Sequence, residues 1–124
     1  MTKRAITVLL VDDDPDAQTV FELVMQHYNI PFTIVGDAET ALDFLKTNTP
    51  DVVLMDIFLP GLDGYQALDR IRRTSIASTS RIIATTAYYT NDTQQEVLRR
   101  GFDGYVPKPF DEGLVNYLHY VTTL

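Results

Sequence analysis

The chain has 124 residues, a net charge of −7 and no cysteine, and 45% of its residues are hydrophobic. That length suits one domain with a real core, and the composition excludes a disulfide scaffold, thiolate metal sites and intrinsic disorder. Seventeen acids against ten bases disfavour direct contact with a nucleic-acid backbone, and no apolar run approaches the roughly 20 residues of a membrane span.

The N-terminal MTKR is basic, but the apolar run after it is short and ends in acid, unlike a signal peptide. The expected setting is a reducing cytoplasm. ITVLLV (6–11) does not alternate, so it reads as a strand buried on both faces. It stops at Asp12, Asp13 and Asp14. Two carboxylates about 4 Å apart repel by roughly 4 kcal/mol at an effective dielectric near 20, so something should offset their clustering. Asp14-Pro15 reads as an N-cap followed by proline at the first helical position. Ala17, Val20, Phe21, Val24 and Tyr28 then form a helical stripe. FTIV (32–35) is a second strand, and Ala38, Ala41, Leu42 and Leu45 a second stripe. VVLM (52–55) is a third strand, followed by a stripe at Gly64, Ala67, Leu68 and Ile71. RIIATT (81–86) is a fourth strand. NDTQQEVLRRG (91–101) reads as a helix with a thin apolar face, capped by Asn91 and Gln94 and ended by Gly101. GYV (104–106) is a short fifth strand, and Leu114, Tyr117, Leu118 and Val121 make the last stripe.

The order is (βα)5, which implies a parallel sheet covered by helices on both faces. No linker, low-complexity tract or solenoid repeat divides the chain, so one domain over 1–124 is expected. No output domain fits after Leu124. The chain therefore acts through a partner or is a piece of a larger regulator.

In open parallel α/β sheets, ligands bind at the carboxyl ends of the strands, where strand order reverses. Asp12 and Asp13 lie just past the first strand, and Asp56 ends the third. If those strands are neighbours, three carboxylates converge in one crevice. Clustered carboxylate oxygens suit a hard cation such as Mg2+, which keeps several waters and accepts phosphate as a co-ligand. Thr86 ends the fourth strand with a hydroxyl donor, and Lys108 follows the fifth with a mobile ammonium. Cation, hydroxyl and ammonium around one carboxylate would clamp a phosphoryl group carried on it. His27 and His119 are isolated and read as exposed or packing residues. Gly61 and Gly64 read as turn residues, since nothing here forms a nucleotide-binding glycine loop.

VDDD (11–14), MDIFLPGLDG (55–64), TTA (85–87) and YVPKPF (105–110), in that order, resemble the response-regulator receiver domain of two-component signalling. The resemblance covers nearly the whole chain. It implies a doubly wound, flavodoxin-like domain with strand order 2-1-3-4-5. It implies that Asp56 is the phosphoacceptor, and that Asp12, Asp13, Asp56 and the carbonyl of Phe58 hold Mg2+ or another divalent cation such as Mn2+. Thr86 and Lys108 would hold phosphoryl oxygens, Lys108-Pro109 would be cis, and Ala87 would be small to give access. Thr86 and Tyr105 would form a switch, in which Thr86 is drawn inward and Tyr105 rotates into the space vacated. Signals would leave through the face of the fourth helix, fifth strand and fifth helix, where Arg99, Arg100, Tyr105, Tyr117 and Tyr120 lie. The implied partners are a sensor histidine kinase or phosphotransfer protein and, downstream, a protein target or fused output domain. Phe58 and Tyr88 border the expected path of a hydrolytic water, and apolar bulk there implies a long-lived phosphorylated state.

Two rival readings belong to other classes. A Mg2+-dependent aspartyl-phosphate phosphatase, similar to haloacid dehalogenase-like hydrolases, needs a second aspartate two residues after the nucleophile. Phe58 stands there and cannot transfer a proton. A receiver-like module that never takes phosphate usually lacks a key residue, and this chain keeps Asp12, Asp13, Asp56, Thr86 and Lys108. A phosphoryl acceptor rather than a turnover enzyme is the expectation.

Overall fold

Each of the five apolar runs becomes a strand of one parallel sheet. The computed structural model describes residues 5–123; MTKR and Leu124, with the readings placed on them, lie outside. The strands are β1 (Val8–Val11), β2 (Phe32–Val35), β3 (Val52–Asp56), β4 (Arg81–Thr86) and β5 (Gly104–Pro107). They lie in the order β2-β1-β3-β4-β5, with every pairing parallel. The helices are α1 (Pro15–His27), α2 (Ala38–Leu45), α3 (Gly64–Thr74), α4 (Thr93–Arg99) and α5 (Gly113–Val121).

β1 is shorter than its apolar run. Thr7 turns aside to Asp51, whose carboxylate accepts from the Thr7 N–H at 2.8 Å and from its hydroxyl at 3.2 Å. The central strands β1 and β3 are buried throughout, whereas the edge strand β2 is half-buried along its length. Alternate side chains therefore feed two cores. Val8, Leu10, Val52, Leu54 and Ile83 meet α1 and α5, around Phe21, Met25, Leu114 and Leu118. Leu9, Val11, Val53, Met55, Ile82 and Ala84 meet α2, α3 and α4, through Ala38, Ala41, Ala67, Leu68, Ile71 and Val97.

Asp14 caps α1 as expected, its carboxylate accepting from the Asp16 N–H at 3.2 Å, and Pro15 opens the helix. Tyr28 falls outside the stripe: it is the C-cap and is exposed. The reading of α4 needs correction. The helix begins at Thr93 rather than behind an Asn91 cap, its N-cap Asp92 makes no side-chain cap bond, and only Val97 is buried. The preceding turn is organised by threonine hydroxyls instead: Thr90 N–H donates to Thr93 Oγ1 at 2.7 Å, and Asp92 N–H to Thr90 Oγ1 at 3.3 Å. The Lys108-Pro109 bond is cis. Among the described residues no helix is long and apolar enough to cross a membrane.

Candidate functional site

The sheet order reverses between β1 and β3, and the register pairs Val11 with Met55. The next residues, Asp12 and Asp56, therefore stand side by side at the strand ends, in the crevice where parallel α/β sheets take ligands. Asp12, Asp13 and Asp56 each offer a carboxylate oxygen, all within 4.8 Å of one another. Asp12 and Asp56 are buried, and Asp13 is exposed.

Lys108 reaches this point from beyond β5. Its Nζ donates to Asp12 Oδ2 at 2.7 Å and to Asp56 Oδ2 at 3.1 Å. The other oxygens are held by backbone: Asp12 Oδ1 accepts from the Asp14 N–H, and Asp56 Oδ1 from the Phe58 N–H, both at 2.9 Å. The Asp12 main chain is fixed in turn by Gln18, whose Nε2 donates to the Asp12 carbonyl at 2.6 Å. So the acid that opened the question of charge crowding is tied down by its own helix. Asp14 caps α1 and also secures Asp12.

Burial pushes the Asp12 carboxyl above its ordinary value, although the Lys108 ammonium and the Asp14 N–H pull the other way. For Lys108, burial alone would favour the neutral amine. The hydrogen bond and charge of Asp12, then those of Asp56, outweigh it and hold the ammonium above its usual range. Three carboxylates against one ammonium leave a formal charge of −2 at this point. A divalent cation would cancel it. The donor set suits one: three hard oxygens gathered in one crevice, with Asp13 open to solvent and its carboxylate without a protein partner among the described residues. Such a site suits Mg2+, which retains waters, and equally Mn2+.

Thr86, at the end of β4, is fully buried. Its Oγ1 accepts from the Tyr88 N–H at 2.9 Å, which leaves the hydroxyl proton free to donate. Ala87 beside it is exposed. Tyr105 sits on the α2–α4 side of the sheet, packed against that core, and its hydroxyl is buried without a partner among the described residues. The ring is thus already on the inner side. Gly104 leaves room for the Tyr117 side chain, which a Cβ at that position would strike, and Tyr117 hydrogen-bonds to the Tyr105 backbone. Phe58 and Tyr88 are 57% and 80% exposed, and their rings meet edge to face at 6.1 Å. The two rings thus pack on each other. His27 and His119 are exposed, away from the carboxylates.

Two residues matter more than their sequence signals suggested. Gly64 is no turn residue: it opens α3 directly against the end of β3, where an added Cβ would lie 2.6 Å from the Asp56 carbonyl oxygen and 2.7 Å from Ile57 Cα. Only glycine allows this approach, which fixes the backbone carrying Asp56. Thr85, paired with Asp56 in the register, buries a hydroxyl with no partner among the described residues. Nothing in a strand-end threonine pair marks which of the two will be satisfied.

Comparison with known proteins fits this geometry. A family model for the response regulator receiver domain matches residues 8–118. An uncharacterized 14.6 kDa protein of Leptolyngbya boryana is 32% identical over 110 residues, covering 89% of this chain and 84% of that protein. The nitrate/nitrite response regulator NarL of Escherichia coli is 33% identical over 118 residues; the match covers 91% of this chain but 53% of NarL. The receiver domain of a sensor histidine kinase from Pseudomonas aeruginosa, solved with magnesium coordinated in its active-site cleft, superposes with a TM-score of 0.86. It is 32% identical, over 98% of this chain and all of that one.

Proposed function

The chain belongs to the response regulator receiver domain family of two-component signalling, and from that membership we propose that Asp56 takes a phosphoryl group from a phosphohistidine. The donor is a sensor histidine kinase or a phosphotransfer protein. A carboxylate oxygen of Asp56 forms the bond to phosphorus, the phosphorus–nitrogen bond breaks, and its electron pair stays on the donor imidazole. The observation that carries this reading is the Lys108 ammonium held between Asp12 and Asp56. It neutralises the attacking group before transfer and can follow the negative charge onto the phosphoryl oxygens afterwards. Thr86 supplies a hydroxyl proton to a second oxygen. Asp12, Asp13, Asp56 and the carbonyl of Phe58 would hold Mg2+, which supplies electrostatic stabilisation of the transferring group. The protein is an acceptor, not a turnover enzyme, and works in the cytoplasm beside its donor.

Phosphorylation then alters the face of α4, β5 and α5. Because the Tyr105 ring already lies inward, the change we expect there is in the partner of its buried hydroxyl as Thr86 moves, rather than entry of the ring. On that face Arg99 and Tyr120 point outward, and such residues are favoured at interfaces. The recipient is a protein target or a fused output domain.

Acetyl phosphate or phosphoramidate with Mg2+ should add one phosphoryl group by intact mass. Asp56→Asn and EDTA should each abolish it, and Asp13→Asn should erase the Mg2+-dependent rise in melting temperature. Labelling of the Asp56→Asn protein at another residue would refute the assignment.

A further inference from the structure

The basic side chains of this acidic chain are mostly spoken for. Arg72 donates to the Gly101 carbonyl and to Asp103 at 3.1 and 3.3 Å. Arg99 and Arg100 pair with Glu96, Arg100 also covers the Tyr65 ring, Lys108 is buried in the crevice, and Arg81 has a partner of its own. Among the described residues, Arg70 and Arg73 are the two cations whose side chains meet no acid, carbonyl or ring. They lie three apart on α3, hence on one face. The RIRR run (70–73) thus divides: Arg72 ties down the start of β5, and the other two arginines turn elsewhere.

They turn into one groove. Between α2 and α3 lies an opening of about 280 Å³ lined by Leu42, Lys46, Arg70, Arg73, Thr74 and Ile76. Leu42 and Ile76 form an apolar floor, half-buried against the core beneath. Cations stand on both walls, since Lys46 rises from α2 with only an exposed contact to Asp43 at 3.6 Å. The dipoles of α2 and α3 favour positive charge at these helix ends. They do not account for an apolar floor left open between the cations.

We propose that this groove docks an acidic amphipathic segment of a partner protein, one apolar side chain seated on Leu42 and Ile76 and flanking carboxylates on Lys46, Arg70 and Arg73. Charge complementarity selects the occupant. Against a net charge of −7, the Lys46, Arg70 and Arg73 side chains form a local cationic rim, so an acidic segment is steered to it. The volume falls below the roughly 300 Å³ at which small-molecule pockets begin and fits an anchoring side chain of a helix laid in a groove. Three cations are too few to hold a nucleic acid against that net charge. The groove lies near the far end of α3 from Gly64, about 15 Å along the helix from Asp56, so it can be occupied while the crevice is engaged.

Random 16-residue peptides displayed on phage and selected on the whole chain provide the test. The expected winners carry at least two acids around one aliphatic or aromatic residue. They should bind the Arg70→Glu/Arg73→Glu protein at least tenfold more weakly and lose affinity as salt rises. Arg70→Lys/Arg73→Lys should retain binding. Both variants should keep the wild-type melting temperature within a few degrees and the wild-type phosphoryl uptake. The proposal is overturned if no peptide is enriched, if the winners are neutral or basic, or if they bind the charge-reversed protein equally well. It is overturned too if phosphatidylglycerol vesicles bind through these arginines while acidic peptides do not.

Discussion

The two faces of the sheet are covered in different ways. On one, α1 and α5 bring large side chains, and Phe21 alone meets Phe32 at 5.8 Å and Phe110 at 6.1 Å. On the other, α2 and α3 bury mostly alanine, leucine and isoleucine, and α4 offers a single buried residue, Val97, on seven residues without a side-chain cap. A helix that short is not stable by itself; it is held through its one buried side chain, Val97, and by its C-cap Arg100, which stacks on Tyr65 at 4.1 Å. The first face serves as an anvil. The second carries the element whose displacement costs least, and it is the one next to Thr86 and Tyr105. Regions that move in signalling come from the low-stability end of a fold.

Phe21→Ala should break the contrast most severely. Removing a fully buried phenylalanine costs about 3–5 kcal/mol; urea unfolding should show one cooperative transition at lower midpoint. Val97→Ala should cost about 2 kcal/mol, with the loss concentrated in α4. Amide exchange there should accelerate while the α1 amides keep their protection. Adding beryllofluoride, a phosphoryl mimic, to the wild type should change exchange in α4, β5 and α5. Changes confined to α1 and α2 would mean that the loosely held face is not the responsive one.

A smaller effect is expected at the rim of the crevice. Phe58 brings no hydrogen-bonding group and Tyr88 is bulky beside the entrance, and Phe58→Asn with Tyr88→Glu should speed loss of the phosphoryl group about tenfold, roughly 1.4 kcal/mol of barrier. Decay at the wild-type rate after donor removal would show that these rings only pack on each other. The least effect concerns α2, which unlike α4 has a working cap. The Asp37 carboxylate accepts from the Thr40 N–H at 2.7 Å, and that bond holds it below its ordinary 3.8. A lowered folded value means the cap stabilises above the unfolded value and fades as pH falls through the folded one. Asp37→Ala should therefore melt slightly lower at neutral pH, and the gap from wild type should begin to narrow below about 3.8 and close as pH falls through the lower folded value.

Most of the site was legible because its signals are local. An apolar run that ends in an acid puts that acid at a strand end, and strand ends on one side of a parallel sheet converge. Asp12, Asp56, Thr86 and Lys108 could be placed that way. What depends on contact between distant segments was not legible. Gly64 reads as one more small residue of a helical stripe or a turn until α3 is laid against β3. The free arginines of α3 look like a solvated run until Arg72 is seen to be paired and the others are not. Asn91 is as good a cap by type as Asp92, and the threonine hydroxyls at 90 and 93 decide against it. Residue periodicity likewise does not report that the Tyr105 hydroxyl is buried.

The strand order also bears on how the chain assembles. β1 sits between β2 and β3, so the first three βα units form a contiguous part of the sheet without β4 or β5. Those units carry Asp12, Asp13 and Asp56, while Lys108 lies beyond β5. Without β5 docked, these acids would lack the Lys108 ammonium that pairs with Asp12 and Asp56. The β1–β3 pairing thus brings like charges together, and docking of β5 with Lys108 relieves them.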